Sequence, residues 1–250
     1  MNVGSLFTHH AQYRRDHLAV VFEDQRLTYC EYNQQINRTA NALLDLGIQK
    51  GDKVATLLPN CLELLEVFWA VAKIGAVVVP MSTLLLESAL VSLLNDSDTV
   101  AVIVDKSFTD IIKSIKDRLP NIPENRYLTI AVEPIPGFQN YHALQSDANV
   151  LEPSAETVEA DDVFNIMYSS GTTGLPKGIV HTHQIRLAYG TSFAASFRIN
   201  PESVVMHAGA IIFNGAFIDL MPTVFQGATY ILLPQFAPTG YMDTIAREKV

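Results

Sequence analysis

An α/β fold, with mainly parallel sheets built from β-α-β units and covered by helices on both faces, is the expectation for this chain. Three observations carry it. Segments such as Val54–Leu58, Ala76–Val79 and Val100–Val104 are apolar on nearly every residue rather than on alternate ones, the pattern of strands buried on both faces. Between them lie stretches whose apolar residues recur at helical spacing. The strands and helices alternate, and a parallel pair needs such a crossover to join its members.

Taken in order, Ala19–Phe22, the polar Glu23–Arg26 and Leu27–Tyr29 read as a hairpin. Thr28 and Glu31 form a Thr-x-x-Glu capping box that predicts a helix from Tyr29, with Tyr32, Ile36, Ala40, Leu43 and Leu44 on its apolar face and Gly47 as its stop. Asn60 with Glu63 is placed to cap a helix over Cys61–Ile74, closed by Gly75. The strand after it ends at Pro80. Helices near Leu86–Asn95 and Phe108–Leu119 precede strands Val100–Val104 and Tyr127–Val132. Glu133–Asp161, rich in Pro, Asn and acids, reads as an irregular surface connection with room for one short helix. Val163–Met167 and Ile179–Val180 read as strands around a tight loop, and His183–Phe197 as a helix. Ser203–Met206 and Thr229–Leu233 read as strands, and Phe213–Phe225 as the helix between them. Gly240–Val250 has the look of a helix just begun, without a cap. The expected organisation is an N-terminal hairpin and helix, 1–50, packing on the later segment. An α/β subdomain, 51–198, contains the loop at 168–178, and 199–250 starts a second α/β subdomain.

Composition narrows the functional classes. The 250 residues are 48% hydrophobic and 17% charged, enough for a sizeable core. A net charge of −9 without a basic run argues against nucleic acid as a partner. Cys30 and Cys61 are the only cysteines; they fit a reducing, cytoplasmic compartment and read as core side chains within helices, not as nucleophiles. The N-terminus lacks the charged-then-apolar pattern of a secretion leader. Val204–Leu233 carries one charge, Asp219, but Asn214, Gly215, Pro222, Gln226 and Gly227 interrupt it, so no membrane span is expected. No Gly-x-Ser-x-Gly elbow is present. The histidines, including His181 and His183, have no partners at metal-ligand spacing and read as surface or loop residues, so no metal site is expected among side chains.

The segment FNIMYSSGTTGLPKGIVHTH, Phe164–His183, carries the chemistry. An apolar strand stops at Ser169-Ser170-Gly171-Thr172-Thr173-Gly174, and Lys177 follows. Glycines at 171 and 174 permit close backbone approach to a ligand. Successive N–H groups with the hydroxyls of Ser169, Ser170, Thr172 and Thr173 make an anion site, to which Lys177 adds a compact charge. Polyphosphate binding is the implied chemistry. A Walker A loop is excluded: Pro176 stands where its second glycine belongs and Gly178 where its Ser/Thr would be.

From Tyr168 through Gly178 the string resembles the phosphate-binding signature of the adenylate-forming superfamily, which includes acyl- and aryl-CoA ligases, luciferase and peptide-synthetase adenylation domains. Leu27–Tyr32 and Trp69–Pro80 resemble two further blocks of that superfamily, although the second also reads as plain β-α-β packing. The resemblance implies ATP-dependent activation of a carboxylic acid, fatty or aryl, to an acyl-adenylate, followed by transfer to CoA. ATP, Mg2+ and coenzyme A are the implied cofactor and co-substrates. It implies phosphate-binding roles for Ser169, Ser170, Gly171, Thr172, Thr173, Gly174 and Lys177, with Thr172 and Lys177 catalytic. Phe213-Asn214-Gly215 falls where the family has an aromatic-His-x-x-Gly pattern lining the acyl pocket, with Asn where His is usual. A pocket role and a helix start with Asn214 as N-cap both remain open for it. Ser169-Ser170 and Ser82 favour the CoA-ligase branch over peptide-synthetase domains, which stay the alternative within the enzyme class. A non-catalytic nucleotide-binding or interaction protein is the alternative outside it. Superfamily enzymes are roughly twice this length, so the chain is expected to be an N-terminal piece, inactive alone. Apolar surface left open by the missing part would favour self-association into a homo-oligomer.

Overall fold

A computed structural model describes residues 2–169 and 176–250. The chain begins with α1 (Gly4–Tyr13), the hairpin β1 (Leu18–Phe22) and β2 (Gln25–Thr28), and α2 (Tyr29–Asp45). Next come β3 (Lys53–Leu57), α3 (Leu62–Ile74), β4 (Val77–Pro80), α4 (Glu87–Asp96), β5 (Thr99–Val104) and α5 (Thr109–Ile115). They are followed by β6 (Tyr127–Thr129), β7 (Gln139–Asn140), α6 (Tyr141–Asp147), β8 (Val163–Ser169), β9 (Lys177–Thr182) and α7 (His183–Phe197). Then β10 (Val204–His207) leads through a 3-10 turn at Asn214–Ala216 into α8 (Phe217–Gln226), β11 (Thr229–Leu232) and α9 (Pro238–Glu248).

The strands form two sheets. The larger has the order β7-β6-β5-β3-β4-β8-β9 and is parallel except for the β8–β9 hairpin at its edge. The smaller has the order β10-β11-β1-β2. Here β1 lies parallel to β11, so the N-terminal hairpin completes a sheet whose other strands come from the end of the chain. One core joins both sheets and contains α3 almost entirely: Glu63 and Lys73 are its only residues that are not buried. Such a helix, apolar all round, belongs inside a protein rather than on its surface. Trp69 stacks on Phe164 of β8 with ring centroids 6.3 Å apart and meets Phe7 of α1 at 4.9 Å. Phe68 stacks on Phe217 of α8 at 5.7 Å. The β8 strand is thereby fixed from below by aromatic contact.

Most predicted elements are present, the Thr28–Glu31 capping box and the left-handed Gly75 stop among them. Several expectations need correction. Asn60 does not cap α3, whose flanking residue is Cys61 without a side-chain cap. Instead Asn60 Nδ2 donates to the carbonyls of Gly209 (2.7 Å) and Leu233 (2.9 Å), and its Oδ1 accepts from the Ile211 N–H (3.0 Å). A single buried amide thus ties the end of β3 to the segments that follow β10 and β11. Cys30 is only partly buried. The strand predicted to reach Val132 stops at Thr129, and a short strand, β7, precedes the helix within the 133–161 connection. The helix predicted to start at Phe213 begins at Phe217, after the 3-10 turn. The C-terminal helix starts earlier than expected, at Pro238, and Lys249 ends it in the left-handed conformation.

The 148–162 connection is strapped down by side chains. Asn41 and Arg38 donate to carbonyls between Ser146 and Leu151, and the Glu152 carboxylate accepts from Asn33, Lys73 and Thr8. Beneath α6 lies a buried carboxyl, Glu66, which accepts from Tyr141 Oη and Gln145 Nε2, each at 2.8 Å. Burial raises its pKa from 4.5 to about 7.

Both buried groups have measurable consequences. Ionisation of Glu66 opposes folding, so the stability it leaves intact is full below pH about 4.5 and falls as pH rises through about 7, by roughly 3 kcal/mol at most. Urea denaturation at a series of pH values should show a flatter profile for E66Q over that window; parallel profiles would refute the assignment. Removing the Asn60 amide leaves three backbone groups without partners, so N60A should lose about 2–4 kcal/mol in the same measurement. A loss below about 0.5 kcal/mol would mean that water or the backbone replaces all three bonds.

Candidate functional site

In open sheets of parallel strands, ligands bind beyond the carboxyl ends of the strands. Here those ends converge. Pro80 closes β4, Ser169 closes β8, and the segment after β10 brings Ile212 and Phe213 against them. They line a cavity of about 240 Å3, which Met81, Ser82 and Tyr168 also face. Its walls are mainly apolar with a few hydroxyls, as in small-molecule pockets. A larger, shallower groove of about 730 Å3 runs between the Glu23–Arg26 turn and α9. It is bridged by the Arg26–Glu248 ion pair at 3.0 Å and holds none of the motif residues. The smaller cavity is therefore the candidate site.

The hairpin that carries the motif is set by its strands. Ser169 and Lys177 face each other across the β8–β9 ladder, with Lys177 exposed as the first residue of β9. Ser170, Gly171, Thr172, Thr173 and Gly174, to which phosphate contacts were assigned, lie outside the described residues. Tyr168 holds the end of β8 by donating to Asp96 Oδ2 of α4 at 2.5 Å. Burial and that carboxylate keep its hydroxyl protonated well beyond the ordinary range. A Cβ on Gly178 would lie 3.0 Å from Ile166 Cγ2 and 3.3 Å from Tyr168 Cε1, so the glycine lets β9 close over that ring.

Two residues of β8 oppose one of β9 between Val163 and Asn165. The bulge shifts the alternation, so Phe164 and Met167 enter the main core while Ile166 and Tyr168 pack on the opposite side. Asn165, fully buried, accepts from Arg186 Nε at 2.8 Å. Arg186 lies in α7 and is itself 0% exposed. Its Nη1 donates to Asn214 Oδ1 at 2.8 Å, its Nη2 approaches Met167 Sδ at 3.6 Å, and its guanidinium lies 3.8 Å from the centre of the Phe217 ring. No carboxylate forms an ion pair with it among the described residues. Burial lowers its pKa to about 9, so it stays charged at neutral pH.

Of the expected acyl-wall residues, Phe213 lines the cavity and is 51% exposed. Gly215 is exposed, and a methyl group in place of its hydrogen would meet nothing within 4 Å. Asn214 does not act as a helix N-cap; its side chain is engaged by Arg186. His181 and His183, expected on the surface, are buried. His181 Nδ1 lies 3.4 Å from Asn165 Nδ2, and His183 Nδ1 accepts from the Val3 N–H at 3.2 Å. Burial lowers both pKa values to about 4, so both rings are neutral. They are parts of the scaffold under the hairpin.

Sequence reasoning missed Arg186 and Asn165, and read Asn60 as a helix cap. Arg186 left a signal, being the single Asp, Glu, Lys or Arg in His183–Phe197. Asn165 gave none, because its burial depends on the bulge. No group of three or more His, Cys, Asp or Glu side chains that could hold a metal occurs among the described residues. Among those residues no helix is long and apolar enough to cross a membrane.

The family described as AMP-binding enzyme matches residues 7–250. The long-chain-fatty-acid–CoA ligase FadD13 of Mycobacterium tuberculosis is 33% identical over 227 residues, covering 91% of this chain and 44% of that protein. The crotonobetaine/carnitine–CoA ligase of Salmonella agona is 29% identical over 241 residues, covering 93% and 46%. The chain thus spans about half the length of the curated relatives it matches. Among solved structures, the inhibitor-bound N-terminal domain of FACL13 from Mycobacterium tuberculosis superposes with a TM-score of 0.90 at 31% identity, covering 100% of this chain and 61% of that one. The anthranilate CoA ligase AuaEII, in complex with anthranoyl-AMP, superposes with a TM-score of 0.91 at 25% identity, covering 99% and 48%. With the family match running over nearly its whole length, the chain belongs to the AMP-binding enzymes.

Proposed function

We propose that this chain forms the nucleotide- and acid-binding part of an AMP-forming acid–thiol ligase that converts a fatty or aryl carboxylic acid to its CoA thioester. The observation that carries the reading is the Tyr168–Gly178 motif, set on a β-hairpin beside an apolar cavity at the carboxyl ends of the sheet strands. The CoA ligases among the relatives support the same branch.

The chemistry needs two displacements. A carboxylate oxygen of the acid attacks the α-phosphorus of ATP, the bond to the bridging oxygen breaks, and pyrophosphate leaves. The resulting mixed anhydride has AMP as a good leaving group. The sulfur of CoA, giving up its proton, then attacks the acyl carbon and AMP departs with the bonding electrons. For the first step the protein has to neutralise the departing pyrophosphate and hold the carboxylate in line with phosphorus. In this reading Ser169, Ser170, Gly171, Thr172, Thr173 and Gly174 surround the β- and γ-phosphates, and Lys177 pairs with them. Of these, Thr172 and Lys177 are assigned the catalytic contacts with the leaving pyrophosphate. Mg2+ bound to the phosphates of ATP would share in their neutralisation. Phe213, Asn214 and Gly215 form the wall against which the acid lies.

Lys177 is exposed at the start of β9, so its removal should leave the fold intact. Calorimetric titration of the chain with Mg·ATP should give saturable binding that weakens by about ten-fold in K177A. Saturable binding with equal affinity in both proteins would refute the phosphate-directed role of Lys177.

A further inference from the structure

We propose that Arg186 is a positioning residue that fixes the orientation of the Asn214 amide, so that the acyl wall offers an N–H donor to the carboxylate of the acid. A guanidinium has five donors and no acceptor. Whatever amide group faces it must do so with oxygen. Arg186 Nη1 meets Asn214 Oδ1 at 2.8 Å, which turns Asn214 Nδ2 away from the guanidinium. That nitrogen has one long neighbour, Tyr189 Oη at 3.4 Å, and Asn214 is half-buried, beside the cavity residue Phe213. One side of the amide is thereby committed to the protein interior; of its two N–H groups one is directed at Tyr189 Oη and the other remains for a ligand acceptor.

On its other side the guanidinium orients a second amide. Arg186 Nε donates to Asn165 Oδ1, so Asn165 Nδ2 faces His181 Nδ1. The neutral His181 ring then accepts at Nδ1 and keeps its proton on Nε2. A line of directed hydrogen bonds therefore crosses from β9 through β8 and α7 to the segment after β10, with its polarity set by the one group that can only donate. A buried charge without a carboxylate partner is expensive to keep. An alkyl side chain could fill the same volume beside Phe217, but it could not orient either amide.

The inference rests on the reading of Phe213–Gly215 as the acid-binding wall, and its test uses binding rather than turnover. The Asn214 side-chain NH2 signal of the isotopically labelled chain is followed while sodium benzoate and, separately, sodium octanoate are added. Wild type and R186K, which retains a donor, should both shift that signal on addition of carboxylate. In R186M, which keeps volume but has no donor, affinity measured on cavity-lining backbone signals should fall by about ten-fold. R186M/N214A should bind no more weakly than N214A alone. Asn214→Asp pairs with Arg186 and replaces the outward N–H groups by an oxygen, so N214D should lose carboxylate affinity by at least about ten-fold without losing thermal stability. N214D keeps the proposal testable if R186M fails to fold.

The proposal is overturned if R186M or N214D binds as the wild type does, if the R186M defect adds to that of N214A, or if neither carboxylate moves the Asn214 amide in the wild type. Titration of the same samples with Mg·ATP separates this from the broader reading. An ATP response that depends on Lys177, with no carboxylate response, defeats the Arg186 inference alone. Carboxylate binding without any ATP response defeats the nucleotide reading alone.

Discussion

The site depends on a cation placed where water cannot reach it. Arg186 sits between the strand that leads into the glycine-rich motif and the segment that forms the apolar wall, and it touches both with directed bonds. It is stabilised there by amide oxygens and by the face of Phe217 instead of by a carboxylate. Coulombic attraction to an acid would be indifferent to small rotations, whereas hydrogen bonds from a planar fork are not. The aromatic stack of Phe7, Trp69, Phe164, Phe217 and Phe68 underneath supplies the rigidity those bonds require.

Asn60 performs the corresponding task for the backbone. It stands at the end of β3, in the larger sheet, and bonds to the segments that leave β10 and β11 in the smaller one. The loop Gly209–Gly215 therefore hangs from two polar anchors: Asn60 holds its start and Arg186 its end. Between them, Ile212 and Phe213 are set against Pro80 and Ser169. The two sheets share one apolar core, yet the site at their junction is positioned by a small number of buried polar contacts. Apolar attraction is non-directional, and hydrogen bonds add the orientation that it lacks.

How much of this was legible in the sequence depended on whether a feature was local. The β-α-β alternation, the Thr28–Glu31 cap and the Gly75 stop depend on residues close together in the chain, and they are present as predicted. The motif was readable because its glycines, hydroxyls and lysine lie within one short contiguous stretch, Tyr168–Gly178. Asn60 misled because an asparagine before a helix usually caps it, and here carbonyls from more than a hundred residues away compete successfully for its amide. His181 and His183 read as surface residues because imidazole is polar; the β8–β9 hairpin and α7 bury them. The partner of Asn214 could not be inferred, since Arg186 reaches it only after α7 and α8 pack together. That packing is close: a methyl group on Gly190 of α7 would fall 2.8 Å from Phe225 Cβ.

The central claim is that nucleotide binds at the junction of the two sheets, on the β8–β9 hairpin, facing the Gly209–Gly215 wall. Amide hydrogen exchange of the chain with and without saturating Mg·ATP, read by peptide mass, tests this most directly. Protection confined to peptides spanning 163–183 and 207–217 is the result the account predicts. Protection of 23–26 and 234–248, the groove under α9, with no change at the hairpin would contradict it.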